Sequence, residues 1–223
     1  FWTASGGQLN CAMGSLLTLW HDCMEGKTGV PSAEALSSAA EHIGFGSVSI
    51  EDGKLVLSDE KVKFDLGAAA KGYAAESASA VAKACGCSDF ALNLGGNVLL
   101  SGKKPAGDWV IGIQDPSDGG VYTKVYVSDC SVVTSGNYQR YRDIDGVRYH
   151  HIIDPETFMP AGRYDSVTVV CPDSLNADML STALFCMPEE SGEALAESFG
   201  AEVLWIYPDG TSKRTEGFAS YEK

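Results

Sequence analysis

The segment SVTVVCPDSLNADMLSTALF, Ser166–Phe185, reads as an apolar strand over Ser166 to Cys171 that turns directly into an apolar helix. A strand feeding a helix that is hydrophobic nearly all round needs cover on several sides. This marks a mixed α/β or α+β domain in which helices lie over twisted sheets. Inside that helix Asp178 and Thr182 are four residues apart, so both project from one face. A carboxylate and a hydroxyl so placed suit a hard cation such as Mg2+. The competing reading is a helix-dipole partner and a threonine bonded back to its own backbone.

Outward from this segment the same grammar repeats. A glycine-rich opening feeds a helix near Met13 to Trp20, and Pro31-Ser32-Ala33-Glu34 starts a second helix with favourable N-terminal chemistry. Ser47 to Ile50 and Leu55 to Leu57 flank a turn at Glu51-Asp52-Gly53-Lys54, which predicts a hairpin. Val62 to Leu66 is expected to be a short strand running into a long alanine-rich helix from Ala68 to Cys85. Further strands are expected at Phe90 to Leu100, Trp109 to Gln114, Val121 to Val127, Ser131 to Thr134 and Tyr149 to Ile153. The end adds a helix over Glu189 to Phe199 and a strand over Glu202 to Tyr207. No composition shift marks a linker, so residues 1–223 are expected to form one domain.

The net charge of −14 and a pI near 4.5 argue against nucleic acid or an anionic membrane as the main partner. An anionic ligand would need a local device: a helix N-terminus, a lysine or a metal. The seven cysteines fit no zinc spacing, and their odd number leaves at least one unpaired. Cys85-Gly86-Cys87 is a close pair with two readings, a redox-active dithiol or thiols packed at a helix end; the second is the expectation. No run is long and apolar enough for a membrane span, and no signal peptide opens the sequence.

Four further segments carry chemistry. In Asp65-Leu66-Gly67-Ala68-Ala69-Ala70-Lys71-Gly72-Tyr73 a carboxylate precedes a small-residue turn and a helix with lysine near its start. Helix amides and an ammonium together favour a phosphate or pyrophosphate, and small residues permit close approach; a packing helix with a solvated lysine is the alternative. Asn93-Leu94-Gly95-Gly96-Asn97 is either a tight turn or a backbone cradle, and Thr134-Ser135-Gly136-Asn137-Tyr138 is similar. In Tyr149-His150-His151-Ile152-Ile153-Asp154-Pro155, strand alternation sends the two histidines to opposite faces, so one imidazole can face a cleft and take a proton near neutral pH.

Taken in order, FDLGAAAKGYAAE, NLGGN, TSGNYQRY, YHHIIDPET and SVTVV with ADMLSTALF resemble the ApbE family of flavin transferases. The resemblance runs from about Gly14 to Pro188. The opening GGQLNCAMGSLLTLWHDC is similar to a segment well inside members of that family. The usual first strand, an early helix and an export signal with a lipid-attachment cysteine are thus expected to lie outside this sequence, leaving an ApbE-like domain that is N-terminally incomplete.

The resemblance implies Mg2+-dependent transfer of FMN from FAD to a threonine hydroxyl of an acceptor protein, with release of AMP. It implies Asp178, Thr182 and the carbonyl of Ala68 as metal ligands, and His151 as general base. Lys71 and Asp65 would contact FAD, the backbone around Ala12, Met13, Gly14 and Ile152 would line the same cleft, and Asn93, Gly95, Gly96 and Ser135 would be neighbours. It also implies a lipoprotein at a bacterial membrane surface or in the periplasm, acting on an electron-transfer subunit or an extracellular reductase. A homodimer is a further expectation, since an unpaired sheet edge favours association. Many members carry glycine after the threonine of the DP-x-T motif; this chain carries Phe158. Alternatives on the same scaffold are an FAD pyrophosphatase yielding FMN and AMP, and a flavin-binding protein without catalysis.

Overall fold

The computed structural model describes residues 1–222. Its centre is an antiparallel sheet of six strands: β3 (Phe90–Leu94), β4 (Asn97–Ser101), β7 (Cys130–Gly136), β10 (Ser166–Cys171), β11 (Glu202–Ile206) and β12 (Ser212–Arg214), in spatial order β12-β11-β10-β7-β4-β3. The central strands are covered on both sides, which is why their sequences are continuous apolar runs. Val133, Val167, Val169, Val203 and Trp205 face α4 (Ser174–Cys186) and α5 (Glu189–Ser198). Val132, Val170, Leu204 and Ile206 face the hairpin β5 (Trp109–Gln114) with β6 (Val121–Val127) and Phe218. Alternate residues of one strand thus enter different cores.

Helix α3 (Gly67–Ala84) packs across α4 and β4. Helices α1 (Gly14–Met24) and α2 (Ala33–Ala40) form a satellite core of Met13, Leu16, Trp20, Cys23 and Leu36, joined by Ile153. Ser32 caps α2 by accepting from the Ala35 amide at 3.2 Å, and Asp173 caps α4 by accepting from the Asn176 amide at 2.7 Å. The hairpin β1 (Val48–Glu51) with β2 (Lys54–Leu57) forms as its turn residues require. A further hairpin, β8 (Tyr141–Ile144) with β9 (Val147–His150), docks on α1, where Arg142 donates to the Cys23 carbonyl at 2.8 Å. Among the described residues no helix is long and apolar enough to cross a membrane.

Four expectations are corrected. Val62 to Leu66 is not a strand: it makes one parallel bridge, Lys63 with Met13, because its neighbour there is an irregular segment rather than a ladder. The strand expected over Tyr149 to Ile153 stops at His150, where the Ile152 amide turns back to the His150 ring. Phe90 to Leu100 is two strands, divided at Gly95-Gly96, whose φ values of 62° and 91° are those of a type I′ hairpin turn. Cys85 and Cys87 are exposed rather than packed in a core, because the helix end they occupy is solvent-facing: every residue from Lys83 to Asp89 is exposed. Strands β8 and β12 gave no apolar signal, since YRDI and SKR carry charged residues that suit short edge strands.

Candidate functional site

The site begins where α3 crosses α4. Gly72 is the contact: a Cβ there would lie 2.4 Å from the Ser174 carbonyl oxygen, 2.6 Å from Leu175 Cα and 2.9 Å from Asp178 Cβ. Only hydrogen fits. This approach lets the Gly72 amide donate to Asp178 Oδ2 at 2.9 Å, while Lys71 Nζ reaches Asp178 Oδ1 at 2.8 Å. Asp178 is 2 % exposed, so its charge is compensated by one ammonium and one amide rather than by water. Lys71 is partly open to solvent, leaving ammonium protons for a second anion. In a regular helix the Gly72 amide bonds the carbonyl of residue 68. Asp178 therefore competes with the Ala68 carbonyl for that proton.

The start of α4 is braced from two sides. Glu76, one turn beyond Gly72, accepts from the Ser174 amide at 2.6 Å, and Ser174 Oγ donates to Asn97 Oδ1 at 2.8 Å. Asn97 is fully buried and its Nδ2 has no hydrogen-bond partner. Farther along α4, Ser181 Oγ donates to the Asp178 carbonyl at 2.9 Å and lies 2.9 Å from Ser135 Oγ, tying β7 to the helix beside Asp178. Thr182, half-buried, follows one residue later on the Asp178 face.

The entry to α3 is laced to the N-terminal segment. The Asp65 amide donates to the Cys11 carbonyl at 2.8 Å, and the Gly14 amide donates to the Lys63 carbonyl at 2.9 Å. Asp65 Oδ1 accepts from the Gly67 amide at 2.7 Å, closing the turn that opens the helix. Ala12, Met13 and Gly14 are all buried, and a Cβ on Gly14 would meet the Lys63 carbonyl at 2.7 Å. At the hairpin between β3 and β4, Asn93 Oδ1 accepts from the Gly96 amide at 3.3 Å, so Asn93 closes the turn, and the Gly96 carbonyl meets the Thr134 amide next to Ser135.

The two histidines separate by their hydrogen bonds. His150 is buried; its Nε2 donates to the Ala161 carbonyl at 2.8 Å and its Nδ1 accepts from the Ile152 amide at 3.3 Å, so both nitrogens are used. A carbonyl can only accept, so the 3.2 Å contact of His151 Nδ1 with the Arg140 carbonyl places the proton on Nδ1. Nε2 of His151 is then the basic nitrogen. Burial, assisted by the positive charges of Arg140 and Lys71, pushes the His151 pKa down to about 4. Of the positive charges that act on His151, Arg140 is the stronger and Lys71 the weaker. Ile152 is buried with both backbone groups engaged, its amide by His150 and its carbonyl by the Ala161 amide, and it fixes where His151 leaves the strand.

Gly72, Glu76, Asn97, Ser181 and Arg140 lie inside the quoted motifs, but the sequence assigned none of them a role of its own. Gly72 and Glu76 lie one helical turn apart within GYAAE, a spacing that marks a shared face but not what it meets.

A braced ammonium–carboxylate pair with one side open to solvent is chemistry that suits an anionic, phosphate-bearing ligand, and an imidazole whose Nε2 is the basic nitrogen is chemistry that suits proton transfer. The sequence model of the ApbE family matches residues 1–205, and the chain belongs to that family. It is 37 % identical to the FAD:protein FMN transferase of Treponema pallidum and 34 % identical to that of Vibrio cholerae, in each case over 96 % of this chain. It spans 64 % of the length of each of these relatives. Among solved structures, the ApbE protein of Thermotoga maritima superposes with a TM-score of 0.89 at 36 % identity, covering all of this chain and 74 % of that one. The flavin transferase ApbE of Vibrio cholerae superposes at 0.86 with 32 % identity, covering 99 % of this chain and 72 % of that one.

Proposed function

We propose that this chain is the catalytic part of an FAD:protein FMN transferase, which moves FMN from FAD to a threonine hydroxyl of an acceptor flavoprotein and releases AMP with Mg2+ as cofactor. The observation that carries this reading is the buried Asp178 carboxylate holding Lys71 at the α3–α4 crossing.

The donors available to a metal are one carboxylate of Asp178, the Thr182 hydroxyl and the Ala68 carbonyl. Among the described residues no group of three or more His, Cys, Asp or Glu side chains could hold an ion by itself. That composition fits Mg2+, which binds through one or two carboxylates together with substrate phosphates. The competition of Asp178 for the Gly72 amide also favours an Ala68 carbonyl with a lone pair to give. When bound, Mg2+ would withdraw charge from the pyrophosphate oxygens.

The remaining work falls to the chain's own residues. Lys71, held by Asp178, presents its other ammonium protons to the pyrophosphate, offsetting charge that an acidic protein would otherwise repel. His151 Nε2 takes the acceptor hydroxyl proton as that oxygen bonds to the FMN phosphorus; the phosphorus–oxygen bond to AMP breaks, and AMP leaves as the anion. The Arg140 carbonyl holds the imidazole in the tautomer this requires.

The test is incubation with FAD, Mg2+ and a threonine-bearing acceptor domain, following AMP release and flavin that stays on the acceptor after denaturation. The expected result is stoichiometric AMP and labelled acceptor, abolished by a chelator and restored by Mg2+. Full turnover in chelator would remove the metal from the mechanism, and AMP with only free FMN would assign a pyrophosphatase instead.

A further inference from the structure

Five of the seven cysteines are withdrawn from chemistry. Cys23, Cys130, Cys171 and Cys186 are buried and Cys11 is half-buried, and burial raises the thiols of Cys11, Cys171 and Cys186 and lifts Cys130 to about 12. Cys85 and Cys87 are different: both are free and exposed, at the far end of the helix that carries Lys71.

Their backbone is fixed. The Gly86 amide donates to the Lys83 carbonyl at 3.0 Å and the Cys87 amide reaches back to the Ala82 carbonyl at 3.0 Å, the paired bonds of a Schellman helix end. Gly86 sits at φ +88°, and a Cβ there would meet nothing within 4 Å. The chain therefore folds back between the two cysteines. Two 3.8 Å virtual bonds with such a bend bring their Cα atoms to about 5.5 Å, inside the range a disulfide spans. Cys87 also borders an open surface depression of about 470 Å3 with Lys83, Ser88, Asp89 and Asp129, which gives a small molecule access to the thiol.

We propose that Cys85-Gly86-Cys87 is a redox-active dithiol that closes to an intramolecular disulfide by exchange with a low-molecular-weight disulfide. One thiolate attacks a sulfur of the incoming disulfide, forming a mixed disulfide and releasing the first small thiol. The second thiolate then attacks the protein sulfur of that mixed disulfide and releases the second small thiol. The protein loses two electrons and two protons, and the oxidant becomes two thiols. The pair is about 20 Å along α3 from Lys71, so its chemistry is separate from the flavin site.

The experiment treats the native, reduced protein with oxidised glutathione, alkylates free thiols and maps peptides by mass. The expected result is a Cys85–Cys87 peptide that has lost two hydrogens and takes no alkyl group, while dithiothreitol restores two alkylation sites. Cys85→Ser and Cys87→Ser should each trap one stable glutathione adduct, and circular dichroism should report an unchanged fold because both side chains are exposed. Persistent glutathione adducts on the wild-type pair, or no reaction at either thiol in any of the three proteins, would overturn the proposal.

Discussion

Gly72→Ala sets two physical effects of opposite sign against each other. Helix propensity alone predicts a gain of about 1 kcal/mol, because Gly72 lies inside an 18-residue helix. The tertiary structure predicts a loss. The new methyl would stand 2.4 to 2.9 Å from the Ser174 carbonyl, Leu175 Cα and Asp178 Cβ, and the first two are backbone atoms that no rotamer change can move. Restoring ordinary contact requires α3 and α4 to part by about 1 Å, and overpacking of this kind costs about 1–3 kcal/mol. The same displacement stretches the 2.8 Å and 2.9 Å bonds to the buried Asp178 carboxylate. Losing a hydrogen bond to a buried charge costs about 1.5–3 kcal/mol more. The net expectation is a loss of about 2–5 kcal/mol, or roughly 4–20 °C in Tm for a chain of this size. Flavin transfer should fall by about 100-fold, as for other ångström-scale misplacements of catalytic groups. Urea unfolding and AMP release, measured on the same preparation, check both numbers. A Gly72→Ala protein more stable than wild type and fully active would refute the close crossing and the site built upon it.

Three further outcomes follow from the geometry. His150→Ala should destabilise by about 1–3 kcal/mol, since it leaves the Ala161 carbonyl and the Ile152 amide unpaired in the core, whereas His151→Ala should keep the fold and lower turnover by about 100- to 10,000-fold; thermal melts beside AMP assays separate the two. Because the folded His151 pKa of about 4 lies below the unfolded value of 6.5, its contribution to stability is full above pH 6.5 and is lost as pH falls from 6.5 towards 4, with a ceiling of about 3 kcal/mol that partial solvent access reduces. The difference in urea midpoint between wild type and His151→Ala should therefore shift against the wild type as pH falls over that range, and kcat/KM should show no limb near pH 6.5 from this residue. Phe158 holds φ +62°, so Phe158→Gly should be more stable than Phe158→Ala by about 1 kcal/mol: both lose the ring, but only alanine keeps the left-handed strain, and calorimetry of the two variants gives the sign.

The sequence by itself determined the elements whose causes are local. Ser166 to Cys171, Trp109 to Gln114 and Val121 to Val127 form strands at the residues expected, because each apolar run ends at turn-forming residues. Helix α3 begins and ends within one residue of its expected bounds, since alanine content and Gly86 fix it without reference to neighbours. The ordered motifs likewise identified the family, and the spacing of Asp178 and Thr182 put them on one helix face. What the tertiary structure decided depends on what each element meets. Which histidine keeps a free nitrogen depends on the carbonyls of Ala161 and Arg140, each at least ten residues away in sequence. Cys85-Gly86-Cys87 looks the same in sequence whether buried or bare, and only the packed fold leaves it exposed. The Asp178 carboxylate meets Lys71 and the Gly72 amide because Gly72, distant in the chain, has no side chain to keep α3 away from α4. Burial and partners are properties of the packed fold, and a residue's type and spacing specify only what it could do once they are supplied.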